Sequence, residues 1–508
     1  MILTVKGEIS HYYVQTLCLL FFPGSKFGQD ELPSPENPEA HVSFWTEGDD
    51  FIAEATLSLR GNTCRGEGRI RRGDLAGGSD ERLSKVAVGR AVFAAGKALL
   101  GYTPPWGILT GVRPAKVASE LVAGGNGILR SKQILRDEYF VNPKKAALAV
   151  SIASTEQKLI KSIPLEKTCS VYISIPFCPS RCAYCSFVSG TSGKLLSLLD
   201  DYLKTLFLDI DNLFSVIRAQ GLSVLTVYIG GGTPTVLTEK QLRALLAHIT
   251  RLVDPATLLE FTLEAGRPDT ITKEKLAVAK EYGVTRVSVN PQTLSDDLLS
   301  AIGRRHSVAD FYHAYGLAEA SGIRDINVDL IAGLPGDNFG NFSKSLDAIL
   351  ALAPTNLTVH SFSVKNAADI RHGEERPYSI TGGDAAKSVE YSQLRTKNAG
   401  YRPYYMYRQK NTVGNLENVG YAAEGHEGLY NILMMEELHS IFAAGAAAVT
   451  KLVSRAPQVN SPAVIRRIFT PKYPYEYLRN AEKIRVGDKE SETLSIGDKI
   501  EAFYREHE

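Results

Sequence analysis

The sequence carries almost no net charge, and it has little that would direct it to a membrane or to nucleic acid. Its 508 residues contain 57 Lys and Arg against 56 Asp and Glu, a formal net charge of +1. That balance supplies no field to attract a polyanion, so we expect no nucleic-acid partner. We find no signal peptide and no apolar run of about 18 residues, so we expect a cytoplasmic protein without a membrane span.

Cysteine is scarce, and half of the cysteines stand in one place. Of the six in the chain, Cys178, Cys182 and Cys185 lie within a stretch of eight residues. The sequence offers no obvious disulfide framework, which fits the reducing environment of the cytoplasm. Free cysteines that act only as small core hydrophobes would not be gathered in this way. We therefore interpret these three thiols as a site.

Length and composition predict a globular protein of two or three domains. The hydrophobic share is 44% and the charged share 22%, both ordinary values for a globular chain. A chain of this length exceeds what a single core usually organises. We expect an N-terminal α+β module at residues 1–165, a middle region at 166–370 and a mostly helical C-terminal domain at 371–508.

The two flanking regions show separate local patterns. In the N-terminal module, strands are predicted at Ile2–Val5 and Tyr12–Phe22, followed by a hairpin of His41–Trp45 and Phe51–Leu59. Helical patterns fill the remainder of that module. In the C-terminal domain, the apolar, Ala-rich segment Met434–Leu452 predicts a buried helix or helix pair.

Strand and helix patterns alternate through the middle region. Short runs of β-branched and apolar residues are each followed by a longer helical pattern. The predicted strands are Val171–Ile175, Val224–Ile229, Leu258–Leu263, Arg286–Val289, Ile326–Ile331 and Leu357–Phe362. Parallel strands joined by helices form either a doubly wound sheet or a partial barrel.

The three cysteines follow directly on a predicted strand. Val171–Ile175 alternates as a strand does, and Pro176 and Pro179 end regular structure after it. Three thiolates on one loop are suited to ligate three irons of a [4Fe–4S] cluster and to leave the fourth iron open. A zinc site would need a fourth ligand nearby, and a disulfide would leave one thiol unpaired. The spacing favours the iron–sulfur cluster over those alternatives.

Polar residues stand where the next predicted strands end. Gly230–Thr235 comes after the second strand, and Glu264, Gln292 and Asp329 stand at the ends of the third, fourth and fifth. Glycines let a ligand approach the backbone closely, and their amides are free to donate. A charged side chain among apolar neighbours is unfavourable unless it is paired. We expect these residues to contact a ligand with hydroxyl and ammonium groups, or else to pair with other side chains inside the fold.

The spacing Cys178-x3-Cys182-x2-Cys185 resembles the signature of the radical S-adenosylmethionine (SAM) enzymes. In that family the open iron binds the amino and carboxylate groups of SAM, and one electron cleaves SAM to give a 5′-deoxyadenosyl radical. The cluster lies on the loop after the first strand of a full or partial (β/α) barrel. The resemblance implies an α/β fold with a partial (β/α)6 barrel, and a [4Fe–4S] cluster and SAM as cofactors.

The motifs together resemble one branch of that family, the oxygen-independent coproporphyrinogen III dehydrogenases (oxidases) and their relatives. Beside the cysteine loop, the resemblance is carried by Ile302-Gly-Arg-Arg-His306 and by the run from Asn327 to Gly336. The long N-terminal module and the stretch from residue 404 look like the HemZ-type subgroup. The residues that the resemblance places in contact with SAM are Tyr172, Gly231, Gly232, Thr233, Glu264, Gln292, Arg304 and Asp329.

This branch decarboxylates two propionates of coproporphyrinogen III to vinyl groups, which gives protoporphyrinogen IX. The resemblance therefore implies a tetrapyrrole substrate, an electron donor such as a flavodoxin or a ferredoxin, and a C-terminal domain that covers the barrel mouth. A tetracarboxylate substrate calls for arginines near the site. Arg371, Arg376, Arg402 and Arg408 are candidates by their place in the sequence.

Two other functions stay open at this stage. The founding dehydrogenases have His where this chain has Ser174, and Phe and Cys where it has Tyr184 and Ser186. A related group of haem chaperones keeps the cluster but transfers haem, and it carries a His at the position of Glu417 here. The third alternative is a radical SAM enzyme that acts on another substrate.

Overall fold

The computed structural model describes most of the chain. The described residues are 1–28, 36–75, 78–111, 113–185, 190–363, 382–409, 412–454, 463–479 and 496–507. The predicted carboxylate-binding residues Arg371 and Arg376 lie outside them. Within the described ranges, no helix has both the length and the apolar character that crossing a membrane requires.

The N-terminal module is a four-stranded sheet accompanied by five helices. Its elements are β1 (Ile2–Lys6), α1 (His11–Phe21), β2 (Glu39–Glu47), β3 (Asp50–Leu59), β4 (Asn62–Arg71), α2 (Asp80–Leu100), α3 (Ala115–Ala123), α4 (Ile128–Asp137) and α5 (Pro143–Ser162). The strands pair in chain order, with β1 parallel to β2 and the other pairs antiparallel. The predicted first strand and the β2–β3 hairpin are confirmed.

The segment Tyr12–Phe22 is a helix, so the prediction of a strand there is wrong. Its buried side chains, among them Val14, Cys18 and Phe21, recur every three or four residues, which is the helical period. Ser10 caps the helix by accepting a hydrogen bond from an amide of the first turn. The aromatic and apolar composition pointed to a strand, but the burial follows one face of a helix.

Six parallel strands joined by helices form the middle of the molecule. The elements are β5 (Thr168–Ile175), α6 (Gly193–Leu196), α7 (Leu199–Ala219), β6 (Ser223–Gly231), α8 (Glu239–Thr250), β7 (Glu260–Leu263), α9 (Lys273–Glu281), β8 (Arg286–Ser288), α10 (Asp296–Ala301), α11 (Val308–Ala320), β9 (Asp325–Ala332), α12 (Phe339–Ala351) and β10 (Asn356–Ser361). All six predicted strands are confirmed. They pair side by side in chain order from β5 to β10.

This arrangement is the predicted partial (β/α)6 barrel. Residues on both faces of these strands are buried, which explains why each strand appears in the sequence as a short, nearly continuous apolar run. Because the strands run in one direction, their C-terminal ends meet at one edge of the sheet. The cysteine loop, Glu264 and Gln292 follow those ends, the glycine run begins at the end of β6, and Asp329 lies in the C-terminal half of β9, so the fold gathers them on one side.

Five further strands extend the same sheet at both edges. The C-terminal elements are α13 (Gly383–Asn398), β11 (Arg402–Arg408), β12 (Glu417–Ala422), α14 (Leu429–Glu436), β13 (Ser440–Ala444), β14 (Val449–Val453), β15 (Ile465–Phe469) and α15 (Ile496–His507). At one edge, β12 pairs antiparallel with β10, and β11 pairs antiparallel with β12. At the other edge, β13 pairs parallel with β5 and is followed by β14 and β15, each antiparallel to the strand before it. The expected C-terminal helices are thus accompanied by strands. The division into three domains stays a prediction.

The apolar segment Met434–Leu452 is not the helix or helix pair that its alanine content predicts. Helix α14 ends at Glu436, and most of the remaining segment forms β13 and β14. β13 is buried along its whole length and lies beside β5. A strand buried on both faces shows no two-residue alternation, so its apolar run cannot be told from a buried helix by periodicity.

A buried carboxylate ties the N-terminal module to this sheet. Glu417, the first residue of β12, has no exposed surface. It accepts hydrogen bonds from the Trp106 indole at 2.9 Å, from Lys145 Nζ at 2.5 Å and from Gln393 Nε2 at 2.9 Å. Trp106 and Lys145 belong to the N-terminal module. Because a buried charge is unfavourable without partners, this cluster holds the module against the sheet.

Replacing Lys145 by Met should lower the free energy of unfolding by about 3–5 kcal/mol, because the Glu417 charge would stay buried without its cationic partner. Denaturant unfolding followed by circular dichroism measures the change. The double variant Lys145→Met with Glu417→Gln should recover part of the loss, since it contains no unpaired charge. Equal losses in the single and double variants would contradict this account of the joint.

Candidate functional site

The cysteine loop leaves the C-terminal end of β5 and is fixed to the chain on two sides. The Cys178 amide donates a hydrogen bond to the Gly190 carbonyl at 3.1 Å, where the chain leaves the loop. The Ala183 amide donates to the Ile302 carbonyl at 3.0 Å, which ties the loop to the segment after α10. These bonds restrain the loop from both ends of the thiol cluster.

The glycine run at the end of β6 lies directly against the loop backbone. The Gly232 amide donates to the Ile175 carbonyl at 2.9 Å, and the Thr233 amide donates to the Phe177 carbonyl at 2.7 Å. A Cβ at Gly232 would lie 2.4 Å from the Phe177 carbonyl oxygen. Gly231 has a φ of +107°, a conformation that side chains rarely allow. Glycine is required here for the contact of two backbones.

Two buried arginines lie beside the cysteines. Arg267 Nη1 is 3.7 Å from Cys182 Sγ. Burial lowers the pKa of Arg304, but the neighbouring Tyr184 hydroxyl and Cys182 thiol outweigh burial and leave that pKa raised. Positive charge next to a thiol favours the thiolate, the form that ligates iron. The surroundings of the loop therefore fit an anionic metal–sulfur group.

The three thiols do not surround a single point. Among the residues that the structure describes, no three His, Cys, Asp or Glu side chains are arranged to hold one metal ion. A [4Fe–4S] cluster bonds each of its cysteines to a different iron, so its ligands stand apart around the cluster. Three thiols on one loop, with Arg267 and Arg304 beside them, are a ligand set that fits such a cluster.

Two carboxylates belong to the strands β7 and β9: Glu264 directly follows β7, and Asp329 lies within β9. Burial, and then the charge of Asp329, raise the pKa of Glu264 to about 8, while a hydrogen bond from the Gly231 amide acts in the opposite direction. Asp329 accepts a hydrogen bond from Asn327 Nδ2 at 2.8 Å. His360 Nε2 lies 3.5 Å from the second oxygen of Asp329. Two acids in such surroundings would stabilise a cationic ligand.

A cavity of about 350 Å³ joins these features. Tyr172 does not line it; the ring of Tyr172 stacks at 5.9 Å on that of Tyr228, which does. Gln292 reaches the wall from a backbone with a φ of +72°. The wall contains the three cysteines and seven of the eight predicted SAM-contact residues, namely Gly231, Gly232, Thr233, Glu264, Gln292, Arg304 and Asp329. The contacts of all eight with SAM stay predictions.

The cavity wall also contains residues that the sequence motifs did not single out. Asn290 is 4% exposed, and its side-chain oxygen has no hydrogen-bond partner. A buried, unsatisfied acceptor on a cavity wall indicates a place for a ligand donor. Its position two residues before Gln292, at the same strand end, was the available sequence signal. Tyr407 and Asn418 belong to β11 and β12 and reach the wall because β12 pairs with β10. This pairing joins segments that are distant in the chain, so no local sequence pattern predicts it.

Of the arginines considered as candidates for binding substrate carboxylates, the two that the structure describes, Arg402 and Arg408, do not line the cavity. Arg402 is exposed and pairs with Glu424 at 2.7 Å. Arg408 is buried and donates to the Leu109 carbonyl at 2.6 Å, and burial lowers its pKa to about 10. The guanidinium groups that do line the cavity belong to Arg267, Arg286 and Arg304.

A partial barrel with three cysteines after its first strand and a glycine run after its second is the architecture of a radical SAM protein. Residues 172–349 match the Radical SAM superfamily. The cofactors of that family are a [4Fe–4S] cluster and SAM, and they are the cofactors of this chain.

Comparison with individual proteins shows to which group of radical SAM proteins this chain is similar. The oxygen-independent coproporphyrinogen-III oxidase-like protein HemZ of Bacillus subtilis (strain 168) is 37% identical over 384 residues, 74% of this chain and 75% of that protein. The heme chaperone HemW of the same organism is 38% identical over 197 residues, 39% of this chain and 51% of that protein. The solved coproporphyrinogen III oxidase HemN from Escherichia coli has a TM-score of 0.49 at 18% identity, over 64% of this chain and 72% of that one. The extent of the match to the HemZ protein shows that the chain belongs to the oxygen-independent coproporphyrinogen-III oxidase-like radical SAM proteins, in the HemZ group.

Replacing Gly232 by Ala should prevent stable assembly of the cluster, because the new Cβ would collide with the Phe177 backbone and displace the cysteine loop. Iron and acid-labile sulfide content after anaerobic reconstitution measures the loss, which should include most of the iron.

The matched control is Gly316→Ala on helix α11, where a Cβ meets nothing within 4 Å. Alanine is favoured over glycine in a helix by about 1 kcal/mol, so this variant should keep the full iron content. Wild-type iron content in the Gly232→Ala protein would contradict the role assigned to the contact.

SAM affinity should depend on pH through Glu264. SAM carries a net positive charge, so binding beside Glu264 would favour the carboxylate and lower a pKa that is about 8 in the free protein. The ratio of wild-type to Glu264→Gln affinity should rise by up to about tenfold per pH unit and level off above about pH 8. Equilibrium binding of SAM at several pH values measures it, and a pH-independent ratio would place Glu264 away from SAM.

Proposed function

We propose that the protein is a radical SAM oxidoreductase that decarboxylates coproporphyrinogen III to protoporphyrinogen IX without oxygen, in porphyrin synthesis. The observation that carries the proposal is the shared cavity: the cysteines, the carboxylate pair and the polar wall from β11 and β12 line one space. A substrate in that space would lie beside the cofactors. Similarity to an oxidase-like protein over about three quarters of both chains supports the choice of substrate.

In this proposal Cys178, Cys182 and Cys185 ligate the cluster, and the eight residues predicted above contact SAM. When bound, the cofactors supply a one-electron cleavage of SAM whose product abstracts a hydrogen atom from the substrate. The chain's own part is electrostatic. Arg267 and Arg304 place positive charge beside Cys182, while the carboxylates of Glu264 and Asp329 on the wall of the same cavity would favour the positive charge of SAM.

The remaining wall is suited to a tetrapyrrole. A porphyrinogen offers four pyrrole N–H donors, and the unpartnered oxygen of Asn290 is an acceptor for one of them. Tyr407 and His360 hydrogen-bond to each other at 3.3 Å, and with Asn418 they present hydroxyl, imidazole and amide groups to the cavity. Each propionate that reacts gives one hydrogen atom to the deoxyadenosyl radical, one electron to an acceptor, and CO2, and it becomes a vinyl group, so the substrate must be held with its side chain toward the cysteines.

Haem transfer is the second candidate function, because HemW relatives are named as heme chaperones. Two observations favour decarboxylation. At the position of the chaperone His, Glu417 is buried against Lys145 and Trp106. Burial raises the pKa of Tyr404 to about 12 and raises that of Tyr407 further, which disfavours the tyrosinate form that ligates ferric haem.

The test is an anaerobic assay of the reconstituted, reduced protein with SAM and coproporphyrinogen III. The tetrapyrrole should lose one and then two formic-acid equivalents, each CO2 plus two hydrogens, with formation of 5′-deoxyadenosine. Mass spectrometry follows both products. A Cys182→Ala control should show neither.

The other outcomes separate the alternatives. Deoxyadenosine without any change in the tetrapyrrole would exclude this substrate and favour radical chemistry on another molecule. Absence of both products, together with tight haem binding, would favour the chaperone function.

A further inference from the structure

The end of β5 is held from the side of β13 as well as from the side of the glycine run. Tyr202, on α7, is completely buried, and its hydroxyl donates a hydrogen bond to the Ser174 carbonyl at 2.8 Å. The same hydroxyl accepts a hydrogen bond from the Ala446 amide at 2.9 Å, in the turn after β13. Ser174 stands four residues before Cys178. One hydroxyl thus connects a helix, the strand that leads to the cysteine loop, and a turn of the C-terminal region.

A buried carboxylate on the same helix binds the C-terminal region. Asp209 follows Tyr202 on α7 by about two helical turns, so both residues lie on one face of the helix. Asp209 Oδ2 accepts hydrogen bonds from the Gly445 amide at 2.9 Å and from the Tyr477 hydroxyl at 2.7 Å. The Tyr202 ring packs edge-to-face on Phe177 at 5.1 Å and lies 5.3 Å from the Tyr477 ring. A single ring therefore separates the C-terminal region from the cysteine loop.

These contacts require a glycine in the turn after β13. Gly445 has a φ of +99°, which side chains rarely allow. A Cβ at this position would lie 2.6 Å from the Tyr202 hydroxyl and 2.7 Å from the Ser174 carbonyl oxygen. The turn is thus packed directly against the hydrogen bond that joins Tyr202 to β5.

We refer to these residues as the Tyr202 network: Ser174, Tyr202, Asp209, Gly445 and Tyr477. None of them lines the cofactor cavity. Pro176 and Pro179 donate no backbone hydrogen bond, so contacts from outside the loop restrain it. We propose that Tyr202 is a positioning residue for the iron–sulfur cluster: the network fixes the end of β5, and with it the place of Cys178. The proposal requires only the cluster and is independent of the tetrapyrrole substrate.

The first test is Tyr202→Phe, which keeps the ring beside Phe177 and removes both hydrogen bonds of the hydroxyl. After anaerobic reconstitution, this variant should release iron to a chelator about fivefold faster than the wild type, a factor equivalent to one net hydrogen bond. The decay of visible absorbance measures the rate. The electron paramagnetic resonance spectrum of the reduced cluster should also broaden, because Cys178 would be placed less uniformly.

The matched control is Tyr315→Phe on α11. Tyr315 is 5% exposed, and its hydroxyl donates to the Leu352 carbonyl at 3.1 Å. This variant also removes a hydrogen bond between a buried tyrosine and a backbone carbonyl, but the bond does not involve β5 or the cysteine loop. It should lower the free energy of unfolding to a similar extent and keep the iron release and the spectrum of the wild type.

Tyr477→Phe is a milder second variant, and it decides the question if Tyr202→Phe does not fold. It removes the hydrogen bond to Asp209 and should change iron release and the spectrum in the same direction by a smaller factor. Wild-type iron release and spectrum in these two variants would overturn the proposal. So would equal changes in Tyr315→Phe, since the cluster would then respond to overall stability. A negative result in the tetrapyrrole assay leaves these measurements unaffected.

Discussion

The hydrogen bonds between the cysteine loop and the glycine run are the contact on which the rest of the site depends. They join the first two barrel strands where those strands end, beyond the paired residues Ile175 and Gly231. The position of the thiols is therefore set by the register of a buried parallel sheet and not by the loop alone. Because such a sheet is covered on both faces, it is a rigid support. Because Gly232 has no side chain, its backbone can approach the cysteine loop closely enough to form these hydrogen bonds. The bonds hold the loop, and with it the three sulfurs, in place.

The electrostatics of the site follow from that placement. The thiols with Arg267 and Arg304, and the carboxylates Glu264 and Asp329, line the same cavity, so a ligand in it meets groups of both charge signs. Arg304 is buried on the cavity wall next to Cys182, so positive charge lies directly beside the sulfurs.

The barrel could be predicted strand by strand, whereas its extensions could not. Each barrel strand carries a local apolar pattern and a polar residue at its end, and both signals are short-range. β13 has a continuous apolar run, but it pairs with a strand more than two hundred residues earlier in the chain. No local sequence pattern indicates that partner. The same holds for Tyr407 and Asn418, which reach the cavity only because β12 pairs with β10. Helix α1 was predicted as a strand because its composition is aromatic and apolar. The folded structure is needed to see that its buried side chains lie on one face of a helix.

The N-terminal module supports one wall of the cavity through its contacts with β12. Asn418 follows Glu417 in β12; its side-chain oxygen accepts from the Ser361 amide at 2.8 Å, and its amide donates to the Tyr407 carbonyl at 3.2 Å. The Glu417 cluster with the module therefore stabilises the strand that places Asn418 on the cavity wall. The buried Glu417, bonded to Lys145 and Trp106, thus holds two parts of one fold together.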